Sequence, residues 1–179
     1  SKSTNNNRKL IYTWEIVRSN NHLVGINTQL SNKIVKEAII NKTIPTINLY
    51  NDFKEEIKYG ENSRIDILLE EKNKLCFIEV KNVTLSRLKN IAEFPDSISN
   101  RGTKQLLELK KVLTQGNRAI VFFLVQRKDC KFFKIARDID PIYYKTLKEC
   151  MQIGLEIISF DCILSSKEIV INKNIIVEI

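Results

Sequence analysis

The run from Ala119 to Val125 is apolar at every position, and segments with helical spacing flank it, about Ser99 to Thr114 and about Pro141 to Gln152. A strand that is apolar on both faces has to be covered on both faces. It belongs inside a sheet with helices above and below. Seven residues fall far short of the roughly 20 that cross a bilayer, so no transmembrane helix is expected. The remaining elements agree with a layered fold. Leu30, Ile34, Val35, Ala38 and Ile39 recur at helical spacing within Gln29 to Ile40, Ser31 offers a cap, and Pro45 bars continuation. Strands are expected at Glu55 to Tyr59, Arg64 to Glu70 and Leu75 to Val83. A polar loop containing Pro95 leads to the first flanking helix, which Gly116 closes; the second stops near Gly154 and precedes a strand from Leu155 to Leu164. Two short strands, Ile11 to Val17 and Leu23 to Ile26, come first, and Ile169 to Ile179 reads as an edge strand or hairpin arm. Strands that alternate with helices need crossovers, so the sheet is mixed and the domain α/β.

With 179 residues, 43% of them hydrophobic and 28% charged, the chain has a globular composition and is long enough to fold without disulfides or a structural metal. Its four cysteines (Cys76, Cys130, Cys150, Cys162) show no CxxC spacing, which leaves zinc ribbons and thioredoxin chemistry without support. Cys76 and Cys162 lie in apolar runs and read as buried thiols of a cytoplasmic protein. His22 is the single histidine, which speaks against His-rich metal sites and a Ser-His-Asp triad. The polar start is not a signal peptide, and because the first residue is not methionine, further sequence is expected upstream. Net charge is +8, and Arg101 to Arg137 holds ten Lys or Arg against two acids, while the rest is balanced. A basic segment inside a folded domain suits a phosphate backbone, or a solvated surface. Tyr12, Trp14 and Tyr50 read as packing residues.

The chemistry concentrates in two adjacent strands. If Lys72 and Asn73 form a two-residue hairpin turn, Ile65 faces Val80, Ile67 faces Ile78 and Leu69 faces Cys76 on an apolar face. The other face sets Asp66 against Glu79, Arg64 against Lys81 and Leu68 against Phe77. Two carboxylates facing each other repel unless a cation lies between them, and Mg2+ takes such hard oxygen ligands. Lys81 is two residues beyond Glu79, about 7 Å along the same face. There an ammonium could hold a scissile phosphate or orient the attacking water. The plainer alternative is charge alternation on a solvated strand. Glu37, on the first helix, is a further acid within reach of the cluster. Arg101 to Lys104 opens a helix, where phosphate can bind, and Gln126-Arg127 ends a strand, where α/β sheets place ligand contacts.

Several runs together resemble the bacterial sugar fermentation stimulation protein family: Arg8 to Glu15, Val24 to Thr28, Glu56 to Gly60, Ser63 to Asp66, Phe77 to Thr84, Phe94 to Asp96 and Arg101 to Lys104. The resemblance covers essentially the whole chain. It implies a restriction-endonuclease-like PD-(D/E)xK core at residues 27–179, and at 1–26 the tail of, or connector from, an N-terminal OB-like β domain. It also implies largely non-specific DNA binding and a regulatory role in sugar (maltose) metabolism. In the PD-(D/E)xK pattern the first acid falls on Asp66, the Glu-x-Lys on Glu79 and Lys81, and a helical acid on Glu37. Two positions depart from the family: Ile11 where proline is usual, and Gln105 where histidine commonly follows Arg-Gly-x-Lys.

The expectation is a DNA-binding protein with a Mg2+ (or Mn2+) site formed by Asp66, Glu79 and the Val80 carbonyl. Lys81 and Glu37 are its catalytic groups, and Arg64, Arg101, Lys104, Gln105 and Arg127 its DNA contacts. The partner is DNA, with no membrane and with room for a homo-oligomer. A DNA-binding regulator that keeps the fold without cleaving is the competing reading.

Overall fold

In the computed structural model, which describes residues 1–5, 7–60 and 63–179, the apolar run becomes β8 (Arg118–Val125). Asn6, part of the expected N-terminal loop, lies outside the described residues. Strand β8 is an interior member of a six-stranded sheet, and its side chains alternate between two cores. Val121, Phe123 and Val125 face one core, and Ile120, Phe122 and Leu124 face the other, all fully buried. Burial of this kind contributes roughly 1.5–3 kcal/mol per large side chain, so this strand anchors both halves of the fold.

Around it the sheet runs β11 (Ile169–Asn174), β10 (Glu156–Leu164), β8, β5 (Lys74–Val83), β4 (Ser63–Glu71), β3 (Asp52–Tyr59). The central pairs, β5 with β8 and β8 with β10, are parallel, and the outer ones antiparallel. The sheet is mixed, as the crossovers require. On one face lies α1 (Ser31–Ile40), which buries Ile34, Val35, Ala38 and Ile39. On the other lie α2 (Asn100–Thr114) and α3 (Pro141–Gln152). Each of these two helices starts where its sequence provides a cap. The Ser99 hydroxyl accepts from Gly102 N–H (3.0 Å), and the Asp140 carboxylate accepts from Tyr143 N–H (2.9 Å). The second oxygen of Asp140 accepts from Ser99 N–H (2.8 Å), which ties the two helix starts together.

The turn at Lys72-Asn73 forms, with φ of 44° and 66°, the left-handed pair of a two-residue hairpin. It sets the expected pairs Leu69–Cys76, Leu68–Phe77 and Ile67–Ile78. Asn20-Asn21 repeats the device (46° and 65°) between β1 (Ile16–Ser19) and β2 (His22–Gly25).

Three expectations need correction. The polar loop after Val83 contains β6 (Leu85–Leu88) and β7 (Ile91–Phe94), which join β9 (Phe132–Ile135) and β12 (Ile176–Glu178) in a second sheet, ordered β12-β9-β7-β6. These strands have three or four residues each, too few to show a period. The final stretch is divided between sheets, β11 in one and β12 in the other. Near the N-terminus, the ladder with β2 begins only at Ile16, before it Tyr12 makes an isolated bridge to Lys2, and Tyr12 and Trp14 are 66% and 70% exposed, not packed. Tyr50 does pack, partly buried against the α1 core.

Candidate metal centre

Strands β4 and β5 stay paired from the turn as far as Ile67–Ile78 and then part. Beyond that point β4 follows β3 to Ser63, and β5 follows β8 to Val83. The expected cross-strand pairs Ile65–Val80, Asp66–Glu79 and Arg64–Lys81 are therefore replaced by a cleft. Two features open it. The β3–β4 ladder keeps its register but leaves out the pair Glu56–Asp66 between Glu55–Ile67 and Ile57–Ile65, with Glu56 at φ 52°. The Asp66 carboxylate also takes the place of a strand partner, accepting from Val80 N–H at 2.7 Å. The alternation slips here: Ile67 and Leu69 belong to the α1 core, Ile65 to the core under α2 and α3.

Each acid is held by a different layer. The other oxygen of Asp66 accepts from Asn32 Nδ2 on α1 at 2.9 Å. Glu79, 2% exposed, faces α2. Its Oε1 accepts from Lys81 Nζ at 2.8 Å and from Gln105 Nε2, while Gln105 Oε1 accepts from the same ammonium at 2.7 Å. Its Oε2 is buried with no hydrogen-bond partner among the described residues. Burial pushes the Glu79 carboxyl up to about 7; the Lys81 ammonium pulls against this, and the Asp66 charge adds to it. Arg101, exposed on the first turn of α2, also acts on Glu79 as a favourable charge. The Tyr59 hydroxyl is another buried group with no hydrogen-bond partner among the described residues; burial and the charges of Glu79, Glu108 and Asp66 hold it protonated.

A polar cavity of about 440 Å³ adjoins this cleft, lined in part by Thr28, Asn32, Val80, Lys81, Asn82 and Asp96. Among the described residues no group of three or more acidic, His or Cys side chains is placed to hold a metal ion. A cation here would rest on two carboxylates, a backbone oxygen and water, a donor set that suits a hard divalent ion. The bare Glu79 oxygen fits that role. Residue Val80 directs its N–H toward β4, and within a strand the carbonyl of the same residue points to the same side.

Asp66, Glu79, Val80 and Lys81 thus come together. Arg64 and Lys104 stand exposed on β4 and α2. Other sites take different places. Glu37 follows Asn32 by five residues, about 140° around the helix; it is exposed and lines a separate groove beside Trp14 and Lys33. Gln105 is 8% exposed and turned inward, so it is no surface contact for DNA. Arg127 is buried as well: its guanidinium holds Asp129 with two bonds (2.7 and 2.6 Å) and donates to the Thr84 carbonyl (2.8 Å). It clamps the end of β8. The basic window does not form one patch either, since Arg118 and Arg127 lie at opposite ends of that strand, about 30 Å apart, and Arg118 is paired with Glu156.

Asn32 was missed by sequence reasoning, because a lone asparagine on a helix does not show that it faces a carboxylate on a strand. The inward direction of Gln105 was legible, because it falls in the buried stripe Gly102, Leu106, Leu109, Val112.

Comparison with known proteins adds to this geometry. Sugar fermentation stimulation protein homologs are 42% identical over the whole chain in Maricaulis maris (77% of that protein's length) and 45% identical over 90% of it in Paramagnetospirillum magneticum (69% of that length). The solved structure of SfsA from Pyrococcus furiosus in complex with Ca2+ superposes with a TM-score of 0.91 at 28% identity, covering all of this chain and 76% of that one. Residues 29–168 match the model of the sugar fermentation stimulation protein RE domain. By this match and these relatives, the chain belongs to the sugar fermentation stimulation protein family.

Proposed function

We propose that the cleft between β4 and β5 is a divalent-cation site for phosphodiester hydrolysis, on a protein that binds DNA without strong sequence preference. The observation that carries this reading is the buried Glu79 oxygen, bare and beside a second carboxylate where two strands separate. Asp66, Glu79 and the Val80 carbonyl are the residues to hold Mg2+ or Mn2+. The relative solved with Ca2+ supports the choice of a hard divalent ion. A bound ion of this type lowers the pKa of a coordinated water and neutralises phosphate charge. The protein's own groups do the rest. Lys81, held by Glu79 and Gln105, presents a fixed positive charge to the scissile phosphate. Arg101, Lys104 and Arg64 steer the flanking phosphates, and Asn32 fixes the Asp66 carboxylate so that it need not reorganise. Four free, buried cysteines agree with a cytoplasmic setting.

The test is calorimetric titration of Mg2+, Mn2+ and Ca2+ into the wild type and folded Asp66→Asn and Glu79→Gln variants, followed by incubation with labelled single- and double-stranded DNA. Binding that is lost in both variants, with metal-dependent cleavage lost alongside it, is the expected result. Absence of binding in the wild type overturns the metal site. DNA that is bound yet left intact in Mg2+ and Mn2+ selects the competing reading, a regulator of sugar (maltose) metabolism acting through the same basic groups.

A further inference from the structure

We infer that Gln105 is the positioning residue of this site: it decides which Glu79 oxygen faces the cleft, and it anchors the Lys81 ammonium. The inference rests on the metal-site reading above but concerns residues that contact one another without any ion. Chemistry leaves the amide only one orientation. An ammonium can only donate, so the atom 2.7 Å from Lys81 Nζ must be the amide oxygen. With the amide oxygen fixed there, the amide nitrogen faces Glu79 and donates to it. Glu79 Oε1 thereby receives two donors and is saturated, and Oε2 receives none from the described residues. Lys81 is held at two points, its side chain 13% exposed. All three groups sit on rigid elements, Glu79 and Lys81 on β5 and Gln105 on the buried face of α2.

Leucine at this position removes both bonds at similar volume. Glutamate keeps the acceptor for Lys81 but sets a second anion against Glu79. Histidine retains one N–H donor and one ring-nitrogen acceptor, and so can bridge the same pair. The role is bridging, and bridging is what histidine should restore.

The experiment uses the whole chain, with lysine side chains labelled with 15N, in the absence of metal. An ammonium held by two hydrogen bonds exchanges its protons slowly enough to give a cross peak, which Lys81→Arg assigns. We expect the Lys81 peak in the wild type and in Gln105→His, and its loss in Gln105→Leu. A wild type without the peak, or a folded Gln105→Leu that keeps it, overturns the inference. Should Gln105→Leu fail to fold, Gln105→Asn, whose amide is one methylene short, takes its place with the same criteria. In a second arm Mn2+ is titrated into each protein. Affinity is expected to fall about tenfold or more in Gln105→Leu, the usual cost of losing a partner of a metal ligand, and to recover in Gln105→His. Equal affinity in wild type and Gln105→Leu overturns the inference. A wild type that binds no metal sinks the metal-site reading alone, and the Lys81 peak then decides on Gln105.

Discussion

Ionising Glu79 costs the folded protein stability, because its carboxyl titrates near 7 in the fold against an ordinary 4.5. Between those two values the folded chain holds a proton that the unfolded chain has released. Its stability therefore falls as pH rises through that window, by up to about 1.4 kcal/mol per pH unit for one proton. Denaturant titrations from pH 4.5 to 8 should show this decline in the wild type and a flatter profile in Glu79→Gln; parallel profiles would contradict it. A second residue-scale prediction concerns Gly25, where an added Cβ would lie 2.1 Å from Gln126 Oε1. Gln126 is fully buried and its amide is bonded to Asn82 and Ser31, so it has nowhere to retreat. We expect Gly25→Ala to cost about 1–3 kcal/mol, measured by thermal or denaturant unfolding. Asp66, Glu79 and Lys81 were legible because few arrangements tolerate such charges on otherwise apolar strands. Glu37 and Arg127 were misplaced because sequence does not show which way a helix face turns, or that Asp129 would occupy the guanidinium.

At the scale of elements, the β4–β5 hairpin was legible down to its register, since a two-residue turn and a two-residue period admit one solution. Its turn is nonetheless imperfect, for Lys72 adopts φ 44° with a side chain that disfavours it. Replacing Lys72-Asn73 with Asn-Gly, the preferred pair for this geometry, should raise stability by about 0.5–1 kcal/mol and leave cation binding unchanged. The parting of the strands beyond Ile67 was not legible. Alternation predicts continued pairing, and only the side-chain bond from Asp66 to Val80 N–H shows where it ends. The second sheet escaped for another reason. Strands of three or four residues have no measurable period, and β12 pairs with β9 across some forty residues of chain.

For the whole molecule, net charge overstates the surface available to a polyanion. Arg127, Arg118, Lys110 and Lys134 of the basic window are engaged with acids. Arg101 and Lys104, by contrast, are exposed near the start of α2, and Arg101 acts on Glu79 as a favourable charge. If they hold phosphates, their joint replacement by alanine should weaken DNA binding and reduce its salt slope by about 1 per residue. Arg127→Ala should leave the slope unchanged and cost about 2–3 kcal/mol of stability by unpairing Asp129. Amphipathic spacing revealed the two layers of helices in advance, but not how the charges would pair, because most partners are distant in sequence.

The central sheet also separates one core, under α1, from the other, under α2 and α3, and Asp66 is braced from the first side while Glu79 is braced from the second. An ion gripping both acids would act as a rivet through the sheet. Without it, the α1 layer should open to hydrogen exchange independently of β8. With saturating Mn2+ the two should open as one unit, so that the proposed cation site doubles as the fastening that sets how cooperatively the molecule comes apart.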